Sequence, residues 1–539
     1  MKIIKKLSAV LLAGAMSMCM FACTQNTEIT ETNGENNSSS SEGEKDNQGE
    51  VKTLNIAAEI IGESMDHTHD WDSWTTVRYC IAETLVKFGQ DGSYQPWLAE
   101  SWKSNEDATV WEFKLREDVV FSNGTPMTAT KVKESIEFLY KTTDPNNGGM
   151  GYPQDFFTYT SIEANDEAST ITITSDKPVI DMPGCMGYPW TCIVDTEGIE
   201  DRDLKVEGPI GTGAYQVSSY EKGNQLTLES NKNYWAGEVP FNNINAVYVT
   251  DAKTRAMSLM DGSADLSFNI TKADRENLSG KNCNVEIASG SRIGNSYFNL
   301  DGVLKNEVIR KAITMSIDGP SIAEVTTAGS YVYDFAVIPT SYAFGGDELK
   351  FPYEYNPEKA KQLLDEEGIV DTNGDGIREL DGENITLDYV ASNFRYLDVV
   401  PQAHMALIEE IGIDINLIPT DGHFDILNNR GFDIIVNSEV TMPTGDPQQF
   451  LGHWYTDGNN YSGYSNPKYD ELYEELTTTV DTVKRAELIR DMQQILIDDA
   501  ITIVWGFYGS NTCYTDKITD VVASTSDYYW ITKDTKPTK

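Results

Sequence analysis

Short apolar runs alternate with longer amphipathic stretches from residue 51 onward. Residues 54–58 and 501–505 are apolar runs of strand length, and residues 111–115 alternate as a half-buried strand does. Residues 129–140 have helical periodicity, with Thr128 as the expected N-cap. The same criteria predict strands at 225–229, 246–250 and 414–418, and helices at 252–260, 307–317, 357–367, 396–411, 469–478 and 482–499. Such mixed order predicts a fold of α/β lobes.

Charge and composition narrow the range of partners. The 539 residues include 41 Lys and Arg against 85 Asp and Glu, a formal net charge of −44. Nucleic-acid binding requires a basic surface, so this balance argues against it, and it equally disfavours electrostatic adhesion to anionic lipid. The length predicts two to four packed units. The 27 Tyr and 10 Trp suggest aromatic rings at a surface or in a cleft.

The amino terminus has the pattern of an export signal. A basic start is followed by an apolar run over 7–21, which is too short for a comfortable membrane span. The run ends in Met20-Phe21-Ala22-Cys23, which resembles a bacterial lipoprotein cleavage site, with Cys23 as the lipidated first residue of the mature chain. An ordinary signal peptide cut elsewhere is the alternative. Residues 24–50 are rich in Asn, Ser, Glu, Thr and Gly, which predicts a flexible tether.

The number and spacing of the cysteines do not predict a disulfide framework. Five cysteines follow Cys23, an odd number without a C-x-x-C pair, which indicates neither a disulfide scaffold nor a zinc site. Cys185 and Cys192 remain open to a disulfide or to two buried thiols.

Several motifs in a fixed order resemble one family. They are the segments 97–102 (WLAESW), 121–126 (FSNGTP), 211–215 (GTGAY), 231–235 (NKNYW), 261–265 (DGSAD), 297–299 (YFN), 355–361 (YNPEKAK) and 463–467 (GYSNP). On these motifs the chain is identified as a member of solute-binding protein family 5, the peptide- and nickel-binding components of bacterial ABC importers. Thr130 and Ala214 depart from the family pattern, at a helix start and a turn, where neither affects binding.

The resemblance implies a two-lobed α/β fold, the type II periplasmic-binding-protein fold in its large peptide/nickel-binding form. The expected organisation is a signal peptide (1–22), a tether (23–52), lobe I (53–299, with an extra subdomain at about 87–206), lobe II (300–500) and a return segment (501–539). Residues 291–299 and 501–508 are the expected crossings between the lobes, which close on ligand as a hinge.

The same resemblance implies an ABC permease and ATPase as partners, a monomer, no enzymatic activity, and a lipid-anchored position outside the cell membrane of a Gram-positive type of cell. No G-x-S-x-G or H-E-x-x-H motif is present. A solute sensor on the same fold, or a secreted hydrolase, are the alternatives.

Candidate ligand contacts lie in irregular segments rich in aromatic and polar residues, the kind of loop at which binding residues concentrate. They are His67, His69, Trp71, Trp74, Tyr188, Trp190, Arg292, Arg395, Asp446, His453 and Trp454.

The ligand class stays open between a small peptide and a nickel or other metal chelate. His67, His69 and His453 are candidate metal ligands, because imidazole suits Ni(II). The resemblance implies that metal enters in a small organic chelator gripped by arginine. This chain has Tyr188-Pro189-Trp190 where nickel binders place that arginine, so Arg292 or Arg395 takes the role. No cofactor is required.

A candidate calcium site lies at Asp371, Asn373 and Asp375. These residues match the first part of a calcium-binding loop. The twelfth position, which should be a bidentate Glu, is Gly382. A structural calcium site and a plain turn before a strand are the two interpretations, and the turn is favoured.

Overall fold

The computed structural model describes residues 52–538, apart from 70, 91, 148–151, 279, 343, 345 and 393–395. The predicted signal peptide, Cys23, the tether up to residue 51, and Arg395 lie outside the described residues. The described chain belongs to one compact unit. None of its helices is both long enough and apolar enough to cross a membrane.

The strands are β1 (Thr53–Ala58), β2 (Val86–Phe88), β3 (Tyr94–Pro96), β4 (Ala99–Ser104), β5 (Val110–Leu115), β6 (Ser161–Asn165), β7 (Thr170–Thr174), β8 (Tyr215–Glu221), β9 (Gln225–Ser230), β10 (Asn243–Tyr248), β11 (Leu266–Phe268), β12 (Cys283–Phe298), β13 (Tyr331–Val332), β14 (Glu379–Leu380), β15 (Glu383–Asn384), β16 (Thr386–Ser392), β17 (Asp414–Thr420), β18 (Ile434–Val440), β19 (Thr502–Thr515), β20 (Ile518–Thr519) and β21 (Lys536–Pro537). The α-helices are α1 (Asp72–Arg78), α2 (Ala129–Thr143), α3 (Tyr152–Phe156), α4 (Met182–Cys185), α5 (Leu204–Glu207), α6 (Ala252–Asp261), α7 (Lys272–Leu278), α8 (Glu307–Ser316), α9 (Gly319–Ser321), α10 (Pro357–Glu366), α11 (Val399–Glu410), α12 (His423–Asn428), α13 (Gln448–Leu451), α14 (Pro467–Thr478) and α15 (Thr482–Asp498).

An 11-stranded sheet organises the fold, in the order β17-β16-β18-β12-β19-β11-β1-β10-β9-β8, with β13 paired to β19 outside that path. A separate four-stranded sheet, β4-β5-β7-β6, is built from residues of the predicted extra subdomain. The mixed α/β architecture agrees with the fold class predicted from the sequence.

Two long antiparallel strands, β12 and β19, join the two halves of the sheet. β19 pairs with β11 near its carboxyl end, whereas β12 pairs with β18 over Arg292 to Phe298. The register between β12 and β19 shifts between Ser289 and Ile293. Most of each predicted crossing, 291–299 and 501–508, therefore lies in one of two neighbouring strands. β12 begins earlier than the predicted segment, at Cys283, and β19 ends later, at Thr515.

Strands in both halves are buried on both faces. In β18, Ile434 and Val436 pack into one apolar cluster and Ile435 into another on the opposite face. In β1, Ile56 and Ala57 divide between two clusters in the same way. Side chains alternate across a strand, so continuous apolar runs of this kind need cover on both sides.

The parallel strands β16, β17 and β18 end at one edge of the sheet. We call the residues at that edge, 392, 420–423 and 437–442, the crevice edge. In open α/β sheets ligands bind outside the carboxyl ends of parallel strands. The crevice edge is therefore where binding residues are expected.

Most predicted elements are confirmed within a few residues. Thr128 caps α2 by accepting from the backbone N–H of Lys131, as expected. The helix predicted to start at 396 begins at Val399, because Tyr396 has a left-handed backbone (φ 70°) that a helix does not accommodate. Strand β19 extends to Thr515, although its apolar run ends at 505, because pairing with β12 and β11 supports it.

Both cysteines of the candidate disulfide are buried free thiols, Cys185 and Cys192. Of the two interpretations left open by the sequence, the thiol interpretation is correct in this structure.

The candidate calcium loop uses its polar side chains to form a turn. Asp371 accepts from the backbone N–H of Gly374 at 2.6 Å and of Gly376 at 2.9 Å. Asn373 and Asp375 each accept a backbone N–H two residues further on, at 2.8 Å. These bonds are those of a plain turn and lend the calcium interpretation no support.

Candidate ligand-binding site

An aromatic cluster brings together two predicted segments and the carboxyl-terminal part of the chain. Trp71 stacks on Trp190 with ring centroids 5.3 Å apart, and Trp71 meets Trp74 edge-on at 6.1 Å. Trp74 also makes edge contacts with Tyr188 at 6.0 Å and Tyr528 at 4.8 Å. We call these five residues the aromatic cluster. Trp71 is 39% exposed, so part of the cluster is open to solvent.

Two arginines flank this cluster. The guanidinium carbon of Arg78 lies 4.9 Å from the Trp74 ring centre and that of Arg292 lies 5.5 Å from it, both within cation–π range. The Asp527 carboxylate accepts from Arg78 at 2.8 Å, and Arg292 lies 3.7 Å away. One carboxylate therefore contacts two guanidinium groups beside the aromatic cluster.

The segment that follows β18 packs directly against this group. Tyr528 donates to the Pro443 carbonyl at 2.9 Å, and Tyr94 donates to the Thr444 carbonyl at 2.8 Å. A Cβ at Gly184 would lie 1.8 Å from the Thr444 oxygen, so only glycine permits this approach. A cavity of about 30 Å³ lies beside Tyr528 and Val440, enough for one water molecule. A solute larger than water can enter this space only if the segment after β18 moves away from Tyr94, Gly184 and Tyr528.

A second polar group lies at the crevice edge, around Glu439. Its Oε1 accepts from the Tyr297 hydroxyl and from the Asn437 amide, both at 2.6 Å. His453 Nδ1 lies 3.6 Å from Oε2, and His423 reaches the Asn437 side chain at 3.3 Å. Burial lowers the pKa of both imidazoles, against an opposing effect of Glu439, so both rings are neutral near pH 7.

The predicted histidines do not form one metal site. His67 is buried and stacks on Phe138 at 6.1 Å, and burial lowers its pKa to about 4. His69 is 51% exposed, 3.4 Å from Asp72. His453 belongs to the separate group around Glu439. In the part of the chain that the structure describes, no group of three or more His, Cys, Asp or Glu side chains is arranged to hold a metal ion.

Two other predicted contacts have packing roles. Asp446 pairs with buried Arg485 at 2.7 Å and accepts from the backbone N–H of Gln448, the first residue of α13, at 2.9 Å. Trp454 is fully buried against Tyr297. Neither residue offers surface to a ligand, which does not support their predicted contacts.

Sequence reasoning missed Arg78, Asp527, Tyr528 and Glu439. Arg78 follows Trp74 at helical i, i+4 spacing, a signal that was available once α1 was recognised. Asp527 and Tyr528 approach the cluster from the far end of the chain, through a contact that no local pattern indicates. Glu439 is the next-to-last residue of β18, where a polar residue normally indicates only that the strand boundary is near.

An α/β sheet whose two halves are joined by two long strands, with aromatic and charged side chains beside its crevice edge, is the architecture of a two-lobed solute-binding protein. The model of the bacterial extracellular solute-binding proteins, family 5, matches residues 93–462, and the chain belongs to this family. It is a solute-binding protein of the ABC-importer class, and its family consists of binding proteins.

Individual relatives are distant and cover most of the chain. The nickel-binding protein NikA of Staphylococcus aureus is 25% identical over 447 residues, 82% of this chain and 85% of that protein. The dipeptide-binding protein DppE of Bacillus subtilis is 24% identical over 554 residues, 97% of each chain. The crystal structure of S. aureus NikA with Ni(L-His)2 aligns with a TM-score of 0.75 at 22% identity, over 90% of this chain and all of that one.

Proposed function

We propose that this protein captures a small amino-acid-derived solute and delivers it to an ABC permease driven by its ATPase. The observation that carries the proposal is the convergence of Trp71, Trp74, Trp190 and Arg292 beside the crevice edge. Aromatic rings supply apolar contact area, and a guanidinium group pairs with a carboxylate. Amino acids, peptides and amino-acid chelates all carry a carboxylate.

A short peptide is the first candidate. The relative that covers 97% of the chain is named a dipeptide-binding protein, and stacked rings suit side chains of varied shape. In the part of the chain that the structure describes, the histidines do not converge on one point, which favours a ligand that needs no histidine cage.

A nickel chelate is the second candidate, favoured by the likeness to NikA. In that case the ligand atoms come from the chelator, and Arg292 pairs with its carboxylate. Tyr188 and Trp190 then pack against the chelator in place of an arginine.

The proposed mechanism is closure of two lobes, residues 53–299 with 501–539 on one side and 300–500 on the other. β12 and β19 connect the lobes, and the contact of Thr444 with Tyr94 and Gly184 holds them together. The cavity of about 30 Å³ is far below the several hundred Å³ that a small-molecule ligand fills, so capture requires an open state.

The proposed location is the extracytoplasmic face of the membrane, with Cys23 lipidated, as in Gram-positive lipoproteins, and residues 24–52 as the tether. The protein is proposed to act as a monomer. A solute sensor is the competing role, and adjacent permease and ATPase genes distinguish import from sensing.

Native mass spectrometry of protein purified without refolding, together with elemental analysis for nickel, tests the ligand class. Co-purified peptide masses support the first candidate and contradict the chelate. Nickel with a small organic mass supports the second and contradicts the first. Absence of thermal stabilisation by every amino-acid-derived probe would contradict the proposal as a whole.

A further inference from the structure

The contact between α4 and the segment after β18 brings two carboxylates towards each other. Asp181, the residue before α4, accepts a hydrogen bond from the Thr444 hydroxyl. Asp446, two residues beyond Thr444, pairs with Arg485 at 2.7 Å. In the proposed division of the chain, Asp181 belongs to lobe I and the other three residues belong to lobe II. Closure of the lobes therefore moves Asp181 towards an acidic residue that already has its cation.

Asp181 has no such cation. In the part of the chain that the structure describes, it forms no ion pair, and Arg485 acts on it only at longer range, through its charge. The Tyr94 hydroxyl donates to the Thr444 carbonyl at 2.8 Å, and the Thr444 oxygen lies against Gly184, so both segments are held close around Asp181. A carboxylate that loses water without gaining a cation is costly to keep ionised.

The groups that face Asp181 come from four elements. Asp446 after β18 and Arg485 on α15 are the charged ones. Cys185 on α4 and Tyr94 on β3 are neutral near pH 7, because burial raises the pKa of each. Burial and the charge of Asp446 raise the pKa of Asp181 from its ordinary value of 3.8 to about 6. When the lobes separate, solvent reaches this carboxyl group, and we expect its pKa to return towards 3.8.

We propose that closure of the two lobes takes up a proton on Asp181, so that the closed, ligand-holding state is favoured as the pH falls below 7. This inference rests on the proposed function and adds control of the same site by pH. The proton comes from solvent, and the bond from Thr444 is retained, because a protonated carboxyl group still accepts from a hydroxyl. At higher pH the ionised Asp181 faces Asp446 and weakens the closed state.

The direction of the pH effect follows from the two states of Asp181. Between pH 7 and pH 5 the carboxyl group becomes largely protonated in the closed state, whereas in the open state it stays ionised. The state that binds more protons gains stability as the pH falls. Ligand affinity should therefore rise by up to about tenfold from pH 7 to pH 5.

The test uses Asp181→Asn, which keeps an acceptor for Thr444 and removes the charge. The matched control is Asp176→Asn, the same replacement at an exposed position after β7. The probes are the tripeptides Ala-Ala-Ala, Ala-Lys-Ala and Ala-Glu-Ala, whose α-ammonium groups stay largely protonated between pH 5 and pH 7. Ni(II) with L-histidine is a further probe, used only at pH 7 because free histidine titrates below it. Affinities are measured by calorimetry.

The expected result is that Asp181→Asn loses the rise in peptide affinity between pH 7 and pH 5. At pH 7 it should bind each probe that the wild type binds more tightly, by about tenfold or more, because its closed state carries no second charge beside Asp446. Asp176→Asn should keep the wild-type pH profile and the wild-type affinity at pH 7.

Two further readouts separate this role from a purely structural one. At pH 6 peptide binding should take up about half a proton more in the wild type than in Asp181→Asn, measured by calorimetry in buffers of different ionisation enthalpy. Thr444→Val removes the hydroxyl that favours the ionised form of Asp181. The midpoint of its pH profile should therefore lie at higher pH than that of the wild type.

A pH dependence of peptide affinity in Asp181→Asn equal to that of the wild type would overturn the inference while leaving the proposed function intact. The same applies to wild-type protein whose peptide affinity does not change between pH 7 and pH 5. Wild-type protein that binds none of the probes would contradict the proposed function and the inference together.

Discussion

At the scale of single residues, His67 shows how burial changes an interpretation. The sequence placed it among the candidate ligand contacts, but in the structure its side chain is buried. The ring stacks on Phe138, and neither ring nitrogen has a hydrogen-bond partner. Burial lowers its pKa to about 4, against an opposing effect of Asp66. Protonation of His67 therefore opposes folding and has no evident link to a metal.

This assignment predicts an acid-labile contribution to stability. Unfolded His67 titrates near 6.5 and the folded ring near 4, so stability is lost as the pH falls through that interval. His67→Phe keeps the stack on Phe138 and removes the titration. We expect the variant to lose about 2 kcal/mol less than the wild type between pH 7 and pH 5, measured by urea unfolding.

The comparison variant is His69→Phe, which makes the same replacement at a half-exposed position two residues away. Peptide affinity should be unchanged in His67→Phe. An identical pH dependence of the free energy of unfolding in His67→Phe and the wild type would contradict the structural role. Loss of ligand binding in the variant would show that His67 is a ligand contact after all.

The types of residue in the candidate site could be predicted from the sequence. Whether each one lines the crevice or packs in the core could not. Trp71, Trp74 and Arg292 were selected as aromatic and charged residues in irregular segments, and the structure brings them together. Trp454 satisfied the same criterion and is fully buried. Whether a ring lines a crevice or fills a core depends on the packing of distant elements, which a local pattern does not contain.

At the scale of elements, the fold was more predictable than the site because helix and strand patterns are local. Helices α2 and α15 follow from periodicity, and α2 also from its predicted cap, Thr128. The length of β19 was underestimated because its later residues are supported by neighbouring strands.

The contact between α4 and the segment after β18 is predicted to set the strength of closure. A Cβ at Gly184 would lie 1.8 Å from the Thr444 carbonyl oxygen, so Gly184→Ala forces the two segments apart. Alanine is favourable in a helix, so α4 itself should tolerate the change. We expect peptide affinity to fall about tenfold, with a larger radius of gyration by solution scattering in the presence of the peptide.

Gly431→Ala is the matched control, since a Cβ there meets its nearest neighbour only at 3.8 Å. Its affinity and scattering profile should equal those of the wild type. If Gly184→Ala also binds and scatters as the wild type does, the segments adapt without opening, and this contact does not govern closure.

At the scale of the whole molecule, a net charge of −44 acts on every solute that approaches the crevice. Oppositely charged solutes associate faster in such a field, and salt screens it over about 10 Å at 0.1 M. Raising salt from about 20 mM to about 300 mM should therefore slow Ala-Lys-Ala association by up to about tenfold and should leave Ala-Ala-Ala nearly unchanged, measured by stopped-flow fluorescence of the tryptophans.

The opposite charge supplies the control for this prediction. Association of Ala-Glu-Ala should become faster as salt rises, because screening weakens its repulsion from the acidic chain. Equal salt slopes for Ala-Lys-Ala and Ala-Glu-Ala would show that the overall charge does not steer solutes.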